Sequence, residues 1–251
     1  MKPVYPCMRA AVIAATLSLV GACSTLPGVT GMGPDSAAAY RAAISDAAVV
    51  SPAKVKRLRP LPAGGTVALV SWVSDSRVPC PAGTPCDITL GTDRWWVTLD
   101  GEVQAQCKSW NLKGDALRQR LEQLLGLPQD SPPQYRKTQF VRLNVPKTRV
   151  ERPCLGVDES TPSQPVCTLD AQPSTSPELR NFVGQQMAGS YVKDNPKGPG
   201  YPYTRLGYTY DWNEDAGRHG NYGASEFVLA VGTKGRAVAK VGTDEYCTPG
   251  R

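Results

Sequence analysis

The residues able to do chemistry are concentrated between Gly200 and Glu226. Tyr201, Tyr203, Arg205, Tyr208, Tyr210 and Trp212 come first, then the one histidine, His219, then Ser225 and Glu226. Aromatic residues make up only 7% of the chain, so this cluster is a local departure from its composition. Tyrosines and tryptophans beside an arginine offer apolar faces with polar tips, which suits capture of a sugar or peptide. Alternation places Tyr201, Tyr203 and Arg205 on one face, and Tyr208, Tyr210 and Trp212 on another after a shift at Gly207. Tyr203, Arg205, Tyr208, Tyr210 and Trp212 are therefore candidate binding residues. The competing use of such residues is to fill a core. His219 and Glu226 are the candidate catalytic pair, because general acid–base work needs a histidine held by a partner. Gly223-Ala224-Ser225-Glu226-Phe227 lacks the second glycine of a nucleophile elbow.

Asp211-x-Asn213-x-Asp215 spaces oxygen ligands like the opening of a calcium loop, making these three a weak calcium candidate. Ala216 and Tyr222 stand where that pattern requires glycine and glutamate. No other metal and no cofactor is expected. There is neither a C-x-x-C nor a C-x-x-C-H motif. Cys80, Cys86, Cys107, Cys154, Cys167 and Cys247 form an even set and read as three disulfides in an oxidising compartment. Many pairings are possible. Spacing favours Cys80 with Cys86 across a Pro/Gly loop and Cys154 with Cys167 across a polar one, which leaves Cys107 to meet Cys247.

The compartment follows from the N-terminal segment. Lys2 and Arg9 precede an apolar run from Ala10 to Ala22, too short to span a bilayer, which needs about 20 apolar residues. Leu19-Val20-Gly21-Ala22-Cys23 resembles the lipobox of bacterial lipoproteins. That resemblance implies cleavage after residue 22 and acylation of Cys23, with palmitate among the chains. Two or more acyl chains hold a protein stably at a membrane. Ser24 rather than Asp after the cysteine implies sorting to the outer membrane, with the body facing the periplasm.

On this reading residues 1–22 are the signal peptide, 23–60 a lipidated tether with a short helix, and 61–251 a single globular domain. The net charge of +6 is too small and too evenly spread to suggest nucleic acid as a partner. Expected partners are the membrane, through the lipid, and an envelope glycan, peptide or protein.

Several elements must position the candidate residues. An Ala-rich helix capped by Asp35 or Ser36 runs to about Val49. The basic run Lys54–Arg59 reads as a solvated edge strand, with contact to anionic lipid as its functional alternative. Thr66–Val73 is a central strand by its continuous apolar pattern. Asp100-Gly101 between Trp95–Leu99 and Glu102–Cys107 predicts a type I′ hairpin. A helix capped by Asp115 runs to Leu125, with Arg118, Arg120 and Glu122 on its solvated face. Phe140–Val145 is another strand. Ser176 caps a helix from Pro177 to about Ala188. Two strands, Glu226–Val231 and Arg236–Val241, joined by Gly232-Thr233-Lys234-Gly235 as in an antiparallel hairpin, close the chain. The fold class is α+β: a mainly antiparallel sheet with two or three packed helices, disulfide-stapled and loop-rich.

The expected function is a binding or structural lipoprotein of the outer membrane. The alternative is an anchored hydrolase or transferase acting on envelope material through Arg205, His219 and Glu226.

Overall fold

The strand with the most continuous apolar run lies at the centre of the sheet. β1 (Thr66–Val73) pairs antiparallel with β3 (Trp95–Leu99) on one side and over its full length with β4 (Gln139–Pro146) on the other. Both faces of β1 are covered. Val67, Leu69 and Val73 enter one core; Val70 and Trp72 enter another. A strand buried on both sides has no polar face, which explains its pattern. The sheet is completed by β2 (Cys86–Thr89), β5 (Val150–Glu151), β8 (Tyr208–Tyr210), β9 (Tyr222–Leu229) and β10 (Lys234–Gly242). The order is β2-β10-β4-β1-β3-β9-β5, with β8 paired to β9. β6 (Val157–Asp158) and β7 (Val166–Cys167) form a separate small hairpin. The fold is α+β, as the sequence suggests. The computed structural model describes residues 34–75, 80–129, 131–193 and 198–248. The lipobox and Cys23 lie outside them.

Helices cover one face of the sheet. α2 (Glu102–Ser109), α3 (Gly114–Leu124) and α5 (Thr243–Cys247) contribute Val103, Cys107, Leu117, Leu121, Leu124 and Tyr246 to a core with Val70, Trp72 and Phe140. α4 (Pro177–Ser190) begins as expected, with Ser176 Oγ accepting the Leu179 N–H at 3.1 Å. α1 (Pro34–Ala48), which the sequence places in the tether, is part of the body. Tyr40, Ile44 and Ala47 pack with Tyr210 and Trp212. The pairings Cys80–Cys86, Cys107–Cys247 and Cys154–Cys167 are present, and the second joins α2 to α5 across 140 positions of chain.

Four expectations require correction. Asp100-Gly101 is not a hairpin turn: Gly101, at φ 88°, is the N-cap of α2. β3 already has β1 and β9 as neighbours, so no free edge remains for a returning strand. Helical spacing instead puts Val103 and Cys107 on one buried face, and this helix together with α5 exceeds the expected number. Lys54–Arg59 is not an edge strand. Lys54 ends a single 3-10 turn (Pro52–Lys54) and its ammonium donates to the Asp46 and Val49 carbonyls, closing the C-terminus of α1. Leu58 is buried, and its N–H reaches the Pro165 carbonyl.

The third correction concerns α3. Its N-cap is Lys113 rather than Asp115, and the face read as solvated holds buried ion pairs. Arg118 meets Glu122 at 2.8 Å and Arg120 meets Asp211 at 2.7 Å. Finally, the last two strands are sequential but not adjacent, because β3, β1 and β4 lie between β9 and β10.

Candidate functional site

Strand alternation decides what the helix-covered face presents beside α3. Val70 and Trp72 of β1, Trp96 and Thr98 of β3, and Glu226 of β9 occupy alternate positions and share that face. The pairings Val70↔Thr98 and Thr98↔Glu226 bring the three strands into line. Above this floor lies a cleft of about 320 Å³. Its roof comes from three places: Gln186 and Ser190 of α4, Leu125–Leu127 after α3, and Tyr201–Tyr203. Lys137 and Phe140 add a further wall.

The roof is tied down by α1. Tyr40 donates its hydroxyl to the Gly200 carbonyl at 3.0 Å and to the Gly126 carbonyl at 3.3 Å, joining two of the roof segments. Gly200 is required where it stands, since a Cβ there would lie 2.0 Å from the Ser190 carbonyl oxygen. Tyr203 stands edge-on to Trp96 with ring centroids 5.8 Å apart, so two near-perpendicular ring faces form one corner. A wider groove of about 790 Å³, lined by Arg94, Arg149, Glu151 and Phe182, shares Trp96 and Gln186 with the cleft.

Glu226 gives the cleft its chemistry. Among the described residues its carboxyl has no hydrogen bond and no ion-pair partner. Burial alone pushes it up to about 8. Six carboxylates of the described residues are buried or half-buried, and the other five each meet an arginine. These are Asp100 with Arg142, Glu102 with Arg59, Glu122 with Arg118, Glu151 with Arg94, and Asp211 with Arg120.

No family model, curated protein or solved structure matches this chain.

The structure separates the residues singled out from sequence. Tyr203, Tyr210 and Glu226 line the cleft; Arg205, Tyr208, Trp212 and His219 do not. The polar tips of the aromatics are engaged within the protein. Tyr203 donates to the Pro153 carbonyl at 2.5 Å, Tyr208 to the Lys54 carbonyl at 2.8 Å, and Tyr210 to Asp46 at 3.0 Å. Trp212 Nε1 donates to the Leu127 carbonyl at 3.1 Å. Their apolar faces remain to serve the cleft or the core. Arg205, at φ 50°, donates to the Ala48 carbonyl at 3.4 Å, at the end of α1.

His219 is exposed at the end of a 3-10 segment (Glu214–His219), and no hydrogen bond or ion pair to it is found among the described residues. Asp211, Asn213 and Asp215 serve local structure. Arg120 takes both oxygens of Asp211, and Asn213 Oδ1 accepts the Asp215 N–H at 3.1 Å.

Ser225 and Glu226 point to opposite faces of β9 and cannot serve one site. Ser225 belongs instead to a buried polar network that the sequence did not reveal. Glu102 Oε1 accepts the Ser225 N–H at 3.1 Å and its hydroxyl at 3.3 Å, and Arg59 lies 3.5 Å away. Burial raises Glu102, while those hydrogen bonds and Arg59 pull it back. Arg152 lies 4.3 Å over the Phe227 ring, donates to the Arg59 carbonyl, and is lowered by burial to about 10. The cleft residues missed from sequence are Trp72, Trp96, Thr98, Gln186 and Ser190. A usable signal was present in β9, where Glu226 interrupts an otherwise apolar or small-residue strand.

Proposed function

We propose that this protein is a lipid-anchored lipoprotein of the bacterial outer membrane whose body binds a small, largely apolar ligand. The observation that carries the binding half is the Glu226 cleft: concave, walled by aromatics, and containing a polar group with no partner among the described residues. The anchoring half rests on the Leu19–Cys23 motif, on the acid-free basic segment before it, and on three cysteine pairs of the kind found in oxidising compartments. Among the described residues no helix is long and apolar enough to cross a membrane.

Three disulfides suit a small body that must hold a cavity open, because each contributes about 2–4 kcal/mol by constraining the unfolded chain. Catalysis at the Arg205, His219 and Glu226 region has no geometric support, since neither Arg205 nor His219 lines the cleft.

Two variants test the two halves. Cys23→Ser should move the protein from the membrane to the soluble fraction; unchanged fractionation contradicts the anchor. Thr98→Phe, which fills the floor of the cleft, should abolish one-to-one binding of a neutral naphthylamine dye followed by tryptophan quenching. Equal dye binding by parent and variant, or none by the parent, contradicts the cleft as a ligand site.

A further inference from the structure

We propose that the cleft accepts an organic cation, an ammonium group carried on an apolar body, with Glu226 as its counter-ion and Trp96 and Tyr203 as its aromatic walls. This rests on reading the cleft as a ligand site and adds the class of ligand. Three observations lead to it.

The first is charge. This fold supplies an arginine to every other carboxylate that it withdraws from solvent, whether on α3, at the end of β3 or in β5. Among the described residues only the carboxyl facing the cleft lacks one. A carboxylate drawn away from solvent is costly to ionise unless a cation meets it, so a cation from outside would supply the partner that the other five carboxylates find within the fold.

The second is the surroundings. Trp72, Trp96, Tyr203 and Tyr210 all contribute to the lining. Aromatic faces attract cations through their quadrupole, most strongly where water is excluded, and ammonium recognition uses such corners. Trp96 and Tyr203 meet at an interplanar angle of 78°, so a group seated in the corner they form meets two near-perpendicular ring faces. The Tyr203 hydroxyl is committed to Pro153 and the Tyr210 hydroxyl to Asp46, which leaves Glu226 to dominate the polar recognition.

The third is the proton. With its carboxyl held at about 8, Glu226 is mainly protonated at neutral pH, which lets the empty cleft exist without a buried charge. A cation draws it into the ionised form, and a proton leaves on binding. Affinity for a permanent cation therefore rises with pH and levels off above about 8. The other titratable groups facing the cleft are Lys137, Tyr201, Tyr203 and Tyr210; burial pushes Tyr203 and Tyr210 well above their ordinary range.

The test compares benzyltrimethylammonium with its neutral isostere neopentylbenzene, titrated into the full chain in detergent between pH 6 and pH 9. Benzyltrimethylammonium keeps its charge throughout, so the pH profile reports the protein. At pH 9 the cation should bind at least about tenfold more tightly than the isostere, and this advantage should shrink as pH falls below 8, by about tenfold in total for each unit by which the cation lowers the Glu226 midpoint. Glu226→Gln should remove the advantage, so that the two probes bind with similar affinity at pH 9. Trp96→Leu should reduce it, providing a second route if Glu226→Gln does not fold. Equal affinity for the two probes at pH 9, or an unchanged advantage in Glu226→Gln, overturns the cation and leaves the cleft as a site for neutral ligands. Binding of neither probe overturns both readings.

Discussion

Neighbouring residues of β9, Ser225 and Glu226, face two carboxylate environments on opposite sides of one strand. On one side Glu102 is buried, yet it receives two hydrogen bonds from Ser225 and lies beside Arg59. On the other, Glu226 faces aromatic rings with no hydrogen bond or ion pair among the described residues. Burial raises the pKa of both groups, but only Glu102 has partners that pull it back. The difference separates structure from site. A carboxylate whose partners are internal joins elements together, here the start of α2 to β9. One whose partners are absent leaves capacity for something else.

The comparison breaks most visibly through Glu102. Glu102→Ala should destabilise the fold by about 3 kcal/mol in urea unfolding, because it strands the Ser225 N–H and removes a counter-charge from Arg152. A loss below 1 kcal/mol would place that network outside the structural frame. Glu226→Gln should act in the opposite direction, with an effect that grows as pH rises from the ordinary carboxylate range toward about 8. Its folded-state pKa lies above the unfolded value, so the folded state holds the proton more tightly. The parent is therefore most stable at acid pH and loses stability as pH rises toward about 8. At pH 9 the glutamine variant should be more stable than the parent by on the order of 2 kcal/mol, a figure reduced for water in the cleft. At pH 4 the two should match. Thermal unfolding across pH checks both points. Ser225→Ala sharpens the comparison least: it removes one hydroxyl but keeps the backbone N–H, for a cost of about 1 kcal/mol.

Much of the framework was legible because its signals are local. The helix start at Ser176-Pro177 depends on a side chain and a ring within one turn. The continuous apolar run of Thr66–Val73 reports burial on both faces. The two short cysteine spacings predicted their own loops.

Failures arose where long-range pairing overrode local preference. Asp100-Gly101 has the residues of a type I′ turn, but β9, more than 100 residues later, takes the edge of β3 that a hairpin would have used. Arg118 and Arg120 look solvated on a helix read alone; burial of Glu122 and the return of the chain at Asp211 turn both inward. The cleft was half legible. Glu226, Tyr203 and Tyr210 were singled out, but Trp72 and Trp96 join them only through strand order, which no local pattern carries. His219 drew notice for its chemistry and Arg205 for its company, and the fold sends each elsewhere.

The chemistry of the cleft depends on a Glu226 carboxyl that has no partner among the described residues and is available to a ligand. Carboxyl-carbon NMR titration, with the signal assigned by its loss in Glu226→Gln, measures this directly. The account predicts a midpoint near 8 in the free protein, falling by more than about one unit when benzyltrimethylammonium is present. A midpoint in the ordinary carboxylate range, or one near 8 that the cation does not move, would contradict it.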